Sequence, residues 1–425
     1  MRGLRAAAIV IVGVSLVTAC GGRTAPAPTG GPTAGSAGST GSTGSTGGRS
    51  AVPDPTPAGS PSPGGTPTET PTGATTEAAT EAAVPSAAWK VSEPARLPTS
   101  SALLDVAAIG PRDVWAVGFQ AGAEDREGAP AVVRWDGARW REVPGLTDRD
   151  VYHLVGVSAG GPGDVWVAGN GANAFAAHWD GRRWTGLRPF GVAEDYRLTD
   201  VAAAGGGAWF TGNGPSGAVL LEWDGRGFAN ALKSDGTLEA ITAKQGHVWA
   251  VGSQEERTPL VWHGVSGSWE KQRVPAIGGG TLRRVWQISP SDVWAVGEVA
   301  ADPGEPGPPA PRPLVLHWDG SRWTRVEVPV PRGTLHGLTA FGPGDVWIGG
   351  VDADHPGQAL FLRFDGTTWS REYGPLFRSP RQNQQYEETD DVGRVGVARV
   401  PGTTALWAVG SVGVGDDEDD FVLRR

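Results

Sequence analysis

The sequence predicts an all-β protein, a seven-bladed β-propeller, and three observations carry that prediction. First, a Trp inside a short apolar run that ends in Gly recurs at Trp115, Trp166, Trp209, Trp249, Trp294, Trp347 and Trp407. These residues stand about 40 to 60 positions apart, the length of a four-stranded blade with loops of variable size. Second, about 20 residues after most of them comes Trp-Asp-Gly and then a second aromatic residue, the pattern of a repeating structural unit. It reads Trp135-Asp136-Gly137 with Trp140, Trp179-Asp180-Gly181 with Trp184, and Trp318-Asp319-Gly320 with Trp323. Variants follow Trp223, Trp262 and Phe364. Third, the apolar runs are separated by turn chemistry: Asp-Gly, Gly161-Pro162-Gly163 and Ser289-Pro290-Ser291. Asp-Gly between two apolar runs is a strong hairpin signal, because Gly accepts positive φ without a Cβ clash.

Along the chain, the first element is a targeting segment over residues 1–19. Arg2 and Arg5 give a basic start, residues 6–17 are apolar, and Val17-Thr18-Ala19 precedes Cys20. The apolar run is short for a bilayer span and fits a cleaved secretory signal. Cys20 is the one cysteine in the chain. Its setting resembles the bacterial lipoprotein signal, which implies that its thiol carries a lipid and becomes the mature N-terminus. One thiol excludes an intramolecular disulfide, so the exported fold relies on packing.

Residues 20–86 are rich in Gly, Ser, Thr, Pro and Ala, with a Gly-Ser-Thr triplet repeated between Gly38 and Thr46. Nothing in this segment has apolar periodicity to bury, and it reads as a disordered tether with a root-mean-square reach of roughly 45 Å.

The propeller occupies residues 87–425. In the second unit, residues 154–157 form the first strand, a, and Gly161-Pro162-Gly163 turns into strand b at 164–169. Strand c covers 176–179, and Asp180-Gly181 leads to strand d at Trp184. One such sheet cannot bury both faces, whereas a closed ring of seven can. The seventh unit has a strand b at 406–410 and a strand c at 421–423, but no Asp-Gly turn and no trailing Trp. Ala88-Trp89-Lys90-Val91, just before the first unit, loosely copies Trp323-Thr324-Arg325-Val326 and is expected to supply the missing strand.

The order of an apolar run with Trp-x-Val-Gly, then Trp-Asp-x-x-x-Trp, resembles Kelch-type propellers, including the ring of the galactose oxidase superfamily. It is also similar to repeats of bacterial secreted propellers carried on a lipoprotein signal. The chain departs from the Kelch pattern by having a single Gly after most strands b, as at Gly118 and Gly297; Gly349-Gly350 is the one pair. Sialidase-type Asp-boxes and WD repeats fit less well. The copper and Tyr–Cys chemistry that the galactose oxidase resemblance would imply is excluded, because Cys20 leaves the propeller without a thiol.

The net charge of −10 offers no basic field for nucleic acid. No dinucleotide fingerprint or P-loop occurs. His178 and His317 occupy repeat positions and read as framework.

Two groups of residues stand out as binding candidates. One is a pair of acidic loops flanking the seventh blade, with Glu387, Glu388, Asp390 and Asp391 before strand a and Asp416, Asp417, Glu418, Asp419 and Asp420 between strands b and c. Their carboxylates suit Ca²⁺, the only cofactor the sequence raises, or a basic partner. The other is a channel rim formed where strands a face the centre: Asp105, Asp200, Glu239, Arg283, Arg284 and His336. These expectations amount to a monomeric, lipid-anchored extracytoplasmic module that binds an envelope protein or glycan without catalysis. The alternative is an envelope carbohydrate-active enzyme working at the channel mouth.

Overall fold

Short apolar runs joined by tight turns pair with their chain neighbours in antiparallel fashion, and seven such groups form seven four-stranded sheets. In this computed structural model the described residues are 84–98, 100–120, 128–146, 150–189, 195–302, 304, 309–377, 391–414 and 417–425. Apart from a single 3₁₀ turn at Glu255–Arg257, every regular element among them is a strand. The first strand of each sheet, strand a, lines a central channel. In blades one to seven these strands are Ala102–Gly110, Val151–Gly161, Arg197–Ala204, Thr237–Lys244, Gly280–Ser289, Gly333–Gly342 and Asp391–Arg399. Six sheets are built from consecutive strands. The seventh runs Lys90–Val91, Asp417–Arg424, Leu406–Val414, Asp391–Arg399, so the N-terminal strand closes the ring as its fourth member. Lys90 pairs with Arg424 and Val91 with Leu423.

The Asp-Gly turns behave as their chemistry requires. Gly137, Gly181, Gly225, Gly320 and Gly366 all have φ between +91° and +99°. The preceding Asp side chain accepts the next two backbone N–H groups, as Asp136 does from Ala138 (2.8 Å) and Arg139 (2.9 Å).

The two Trp of each repeat have a common purpose: the trailing Trp of one blade meets the strand b Trp of the blade before it, edge to face. Trp184 lies 5.8 Å from Trp115 at 89°. Trp323 lies 5.6 Å from Trp249 at 78°. Trp369 lies 5.8 Å from Trp294 at 78°. Trp269 meets Trp209, and Trp140 meets Trp407, in the same way. Trp89 completes the series from the N-terminal strand, 6.3 Å from Trp347 at 75° and stacked on Phe361 at 3.6 Å. Between blades two and three the pair is replaced by aromatic contacts of Phe210 with Trp166 and Phe228. Such pairs contribute about 0.5–1.5 kcal/mol each beyond the area they bury.

The Asp before the strand b Trp fixes the indole. Asp164 accepts from Trp166 Nε1 at 2.7 Å and bonds His178 Nε2 at 3.0 Å, while the imidazole stacks on the indole. Asp292 does the same with Trp294 and His317. In blades one and six Arg134 and Arg363 take the place of the histidine. His178 and His317 are thus framework residues, as their repeat positions imply.

One boundary differs from the sequence expectation. The third strand of blade seven begins at Asp417 rather than Phe421, because Asp417 to Asp420 continue the ladder opposite Val414 to Ser411. An acidic run is compatible with a strand when its backbone is already paired.

Two outcomes are expected. Trp89→Ala removes a core indole and should cost ~3–5 kcal/mol in urea unfolding, whereas a loss below ~0.5 kcal/mol would show that this strand does not close the ring. Asp292→Ala leaves Trp294 Nε1 without its acceptor and should cost ~1–3 kcal/mol by the same measurement.

Candidate functional site

The Gly that ends each strand b run is tied to the channel. Gly118, Gly169, Gly212, Gly252, Gly297 and Gly350 pair with Leu103, Leu154, Leu198, Leu238, Leu282 and Leu335 on strand a. There the two backbones press together: a Cβ on Gly118 would be driven into the carbonyl oxygen of Ala102, and one on Gly252 into that of Thr237. Immediately after each of these Leu residues strand a carries a β-bulge. Bulges re-aim side chains, and here they deliver the residues that follow toward the channel.

The position after the bulge is large and charged in blades one, three and five (Asp105, Asp200, Arg284) and small in blades two, four and six (Gly156, Ala240, Gly337). The small residues leave room for the large ones. A Cβ on Gly156 would come within 2.8 Å of Asp200 Oδ1. In that space Arg284 bridges both carboxylates, through Nη1 to Asp200 Oδ2 at 3.2 Å and through Nη2 to Asp105 Oδ1. Each carboxylate also ties its blade to the next. Val157 N donates to Asp105 Oδ2 at 2.9 Å, and Ile241 N donates to Asp200 Oδ2 at 3.1 Å. The two Asp side chains are 2% and 4% exposed. Burial pushes the Asp200 carboxyl up to about 7, against its backbone hydrogen bonds and the Arg394 charge. Burial also draws Arg284 down to about 9. Both directions follow from taking charge out of water.

Toward the start of the strands lies a second charged layer. Arg283 holds Glu298 at 2.6 Å and Glu239 at 3.2 Å. His336 is beside them, and burial, with Arg394 and Arg283 near it, pushes its imidazole down to about 3, so it is neutral. All six rim residues expected from sequence therefore lie in these two layers of the channel, His336 as a neutral member. Arg394, which is not among the sequence candidates, faces the same groups. In blade seven the bulge falls earlier, between Val392 and Val395, so Arg394 reaches the channel from a position out of register with the rim residues of the other blades. The signal was the lengthened turn at Pro401-Gly402-Thr403-Thr404, which changes the spacing to Trp407.

On the other side of the Asp105–Arg284–Asp200 cluster, toward the turns joining strands a and b, the channel opens into a cavity of about 330 Å³. Its walls include the short side chains of Ala107, Ala159 and Ala203, and Lys244, Trp286, Gln287 and Arg399 also line it. The acidic candidates of blade seven, before strand a and between strands b and c, belong to the opposite ends of the strands. Lys244, Gln287 and Arg399 lie close to short a–b turns and give no periodic signal.

Of the acidic candidates on blade seven, Glu387, Glu388, Asp390 and Asp416 lie outside the described residues, as does the lipidation candidate Cys20, and Asp417 is described in its backbone alone. Asp391 is exposed at the start of strand a and pairs with Gly413, which on its other side pairs with Glu418. Glu418 and Asp419 are exposed. Asp420 turns inward, accepts from Ser101 Oγ at 2.7 Å, and is pushed up by burial. Among the described residues no group of three His, Cys, Asp or Glu is arranged to hold a metal ion.

No family model matches the chain, and no curated protein matches it. Solved structures do. YCF48 bound to a D1 peptide has a TM-score of 0.52 at 17% identity, over 81% of this chain and 96% of that one. YCF48 from Cyanidioschyzon merolae has a TM-score of 0.49 at 15% identity, over 80% and 98%. The SapL1 lectin in complex with alpha methyl fucoside has a TM-score of 0.40 at 14% identity, over 63% and 94%. At these identities the likeness is one of fold: the chain is a seven-bladed β-propeller.

The raised Asp200 gives a pH signature. Its folded value lies above the ordinary carboxyl value, so the folded chain binds the proton more tightly than the unfolded one. The contribution is fully present below about pH 4 and is lost as pH rises through about 7. Asp200→Asn carries a neutral group at every pH. Its stability relative to the wild type, read from urea midpoints, should therefore rise between about pH 4.5 and 7.5. The opposite trend would mean that the Arg284 ion pair outweighs burial.

Proposed function

We propose that this chain is a lipid-anchored, extracytoplasmic propeller that acts as a non-catalytic binding module for a protein or glycan of the cell envelope. The observation that carries the reading is the state of the channel carboxylates. Asp105 and Asp200 share one guanidinium, and Glu239 and Glu298 share another. Glycoside chemistry uses one acid free to give a proton and a second carboxylate free to attack or to activate water. Four carboxylates paired with two arginines, two of them also held by neighbouring backbone, instead make a polar lining of the kind that positions a ligand. The neighbour solved with a peptide bound shares only the fold, and the support comes from the channel itself.

The anchor rests on Arg2 and Arg5, the apolar residues 6–17 and the placement of the lone Cys20 after Val17-Thr18-Ala19. A single acyl group binds membranes weakly, so stable retention takes a multiply acylated cysteine. The experiment is fractionation and capture with the full chain. The wild type should partition with membranes and retain an envelope protein or glycan, and Cys20→Ser should move to the soluble fraction while still capturing the same partner. A hydrolase panel run beside it should show no turnover; turnover that disappears in Glu239→Gln would replace the binding reading with the enzymatic one.

A further inference from the structure

The cavity of about 330 Å³ at the a–b end of the channel carries two cations, Lys244 and Arg399, that no carboxylate among the described residues pairs with. Among the described residues the Arg399 guanidinium has no hydrogen-bond or ion-pair partner; only its backbone N is engaged, with Thr339 Oγ1. Lys244 Nζ donates to the carbonyl of Ile288 at 2.9 Å, which leaves its positive charge unneutralised. The two cations are close enough that burial and the Arg399 charge together lower Lys244 from the ordinary lysine value. Beside them Gln287 is 1% exposed; its Nε2 donates to the Lys244 carbonyl at 3.3 Å, and its Oε1 is buried with no partner. An unpaired buried acceptor costs free energy until a donor reaches it. Trp286, half-buried on the same strand, also borders the cavity, with its side chain packed against the core between blades five and six.

Resting on the binding-module reading, we infer that this cavity binds a sugar acid: an acidic monosaccharide, or the terminal uronic residue of a glycan. The volume is at the small end for ligand pockets and holds one ring rather than a folded segment. Arg399 supplies the planar fork that carboxylates favour, with Lys244 as a second positive charge. Gln287 Oε1 accepts from a ring hydroxyl. The floor decides between a sugar and a peptide. The floor's guanidinium, Arg284, is already taken by Asp105 and Asp200, so the deep end offers a carboxylate no free cation. An Asp or Glu side chain entering from outside would bring its carboxylate in first, against that floor. A sugar acid can place its hydroxyls deep and keep its carboxylate at the cationic rim.

The test is calorimetric titration of the full chain with sodium glucuronate, glucose and sodium glutamate. Glucuronate should bind saturably with a Kd of about 1 mM or tighter, with glucose and glutamate at least about tenfold weaker. Arg399→Gln and Gln287→Leu should each weaken glucuronate about tenfold or more, at an unchanged melting temperature, and binding should weaken as salt is raised. Lys244→Met is the second cationic variant and should act in the same direction. Absence of saturation by about 10 mM glucuronate overturns the inference, as does glutamate binding as tightly as glucuronate. Unchanged affinity in both Arg399→Gln and Gln287→Leu also overturns it. Envelope capture by the same proteins separates the two readings. Partner capture without glucuronate binding overturns this site alone; glucuronate binding without any captured partner supports the site and counts against an envelope protein as partner.

Discussion

An edge-to-face contact between two indoles, one on each side of a blade interface, is the interaction on which the rest of this molecule depends. A twisted sheet with two apolar faces gains nothing from folding alone, because each face needs a cover. The trailing Trp of one blade and the strand b Trp of the blade before supply that cover at six of the seven interfaces, and Phe residues supply it at the other. The geometry also fixes where the ring must be shut. Without Trp89, the indole of Trp347 and the ring of Phe361 would face water at one interface. The N-terminal strand contributes two paired residues to the sheet, yet the residue just before it fills the one socket that the repeats leave open. Ser86, a few residues earlier, adds a further tie: its N–H donates to the Tyr373 carbonyl.

The same repeat that builds the scaffold builds the channel. Close approach at the strand b glycines and the bulge that follows each facing Leu are parts of one local geometry, repeated in blades one to six. Once present, that geometry presents six positions to the axis that evolution can fill independently. Filling alternate blades with Asp, Asp and Arg, and the intervening ones with Gly or Ala, produces a cluster that spans three blades. Its contribution to net stability is small at best, since desolvating three charges offsets their attraction. Its contribution to specificity is larger, because Arg284 finds both partners only when blades one, three and five sit in one arrangement.

Much of this was legible in the chain because the deciding rules are local. The period of Trp115 to Trp407 counts the blades, Asp136-Gly137 and its copies mark the outer hairpins, and Trp89 stands out as a trailing Trp with no Asp-Gly before it. The six rim residues were also legible, since bulged strands align on the strand b Trp. Their pairing was not, because which carboxylate meets Arg284 depends on the room that Gly156 leaves across a blade boundary. Arg394 escaped for a related reason: its bulge is displaced, and a side chain's aim cannot be read from register when the register itself slips. The run from Asp417 to Asp420 looked like a loop because charge correlates with loops, but a strand is decided by whether its backbone finds a ladder.

The ion cluster divides the channel into two unlike halves, and that division has a consequence for where selectivity resides. On the d–a side the cations Arg283 and Arg394 are matched by Glu239 and Glu298, so that half is close to neutral. On the a–b side Lys244 and Arg399 have no matching carboxylate except the two already held by Arg284 at the floor. A partly desolvated pair of like charges raises the energy of the empty site, and an anion that pairs with both relieves it. The lining around them is short-chained and held by paired backbone, so little side-chain entropy is lost when the site fills. A scaffold of repeats thus acquires a preference for anions at one mouth without altering a single indole of the ring that holds it open.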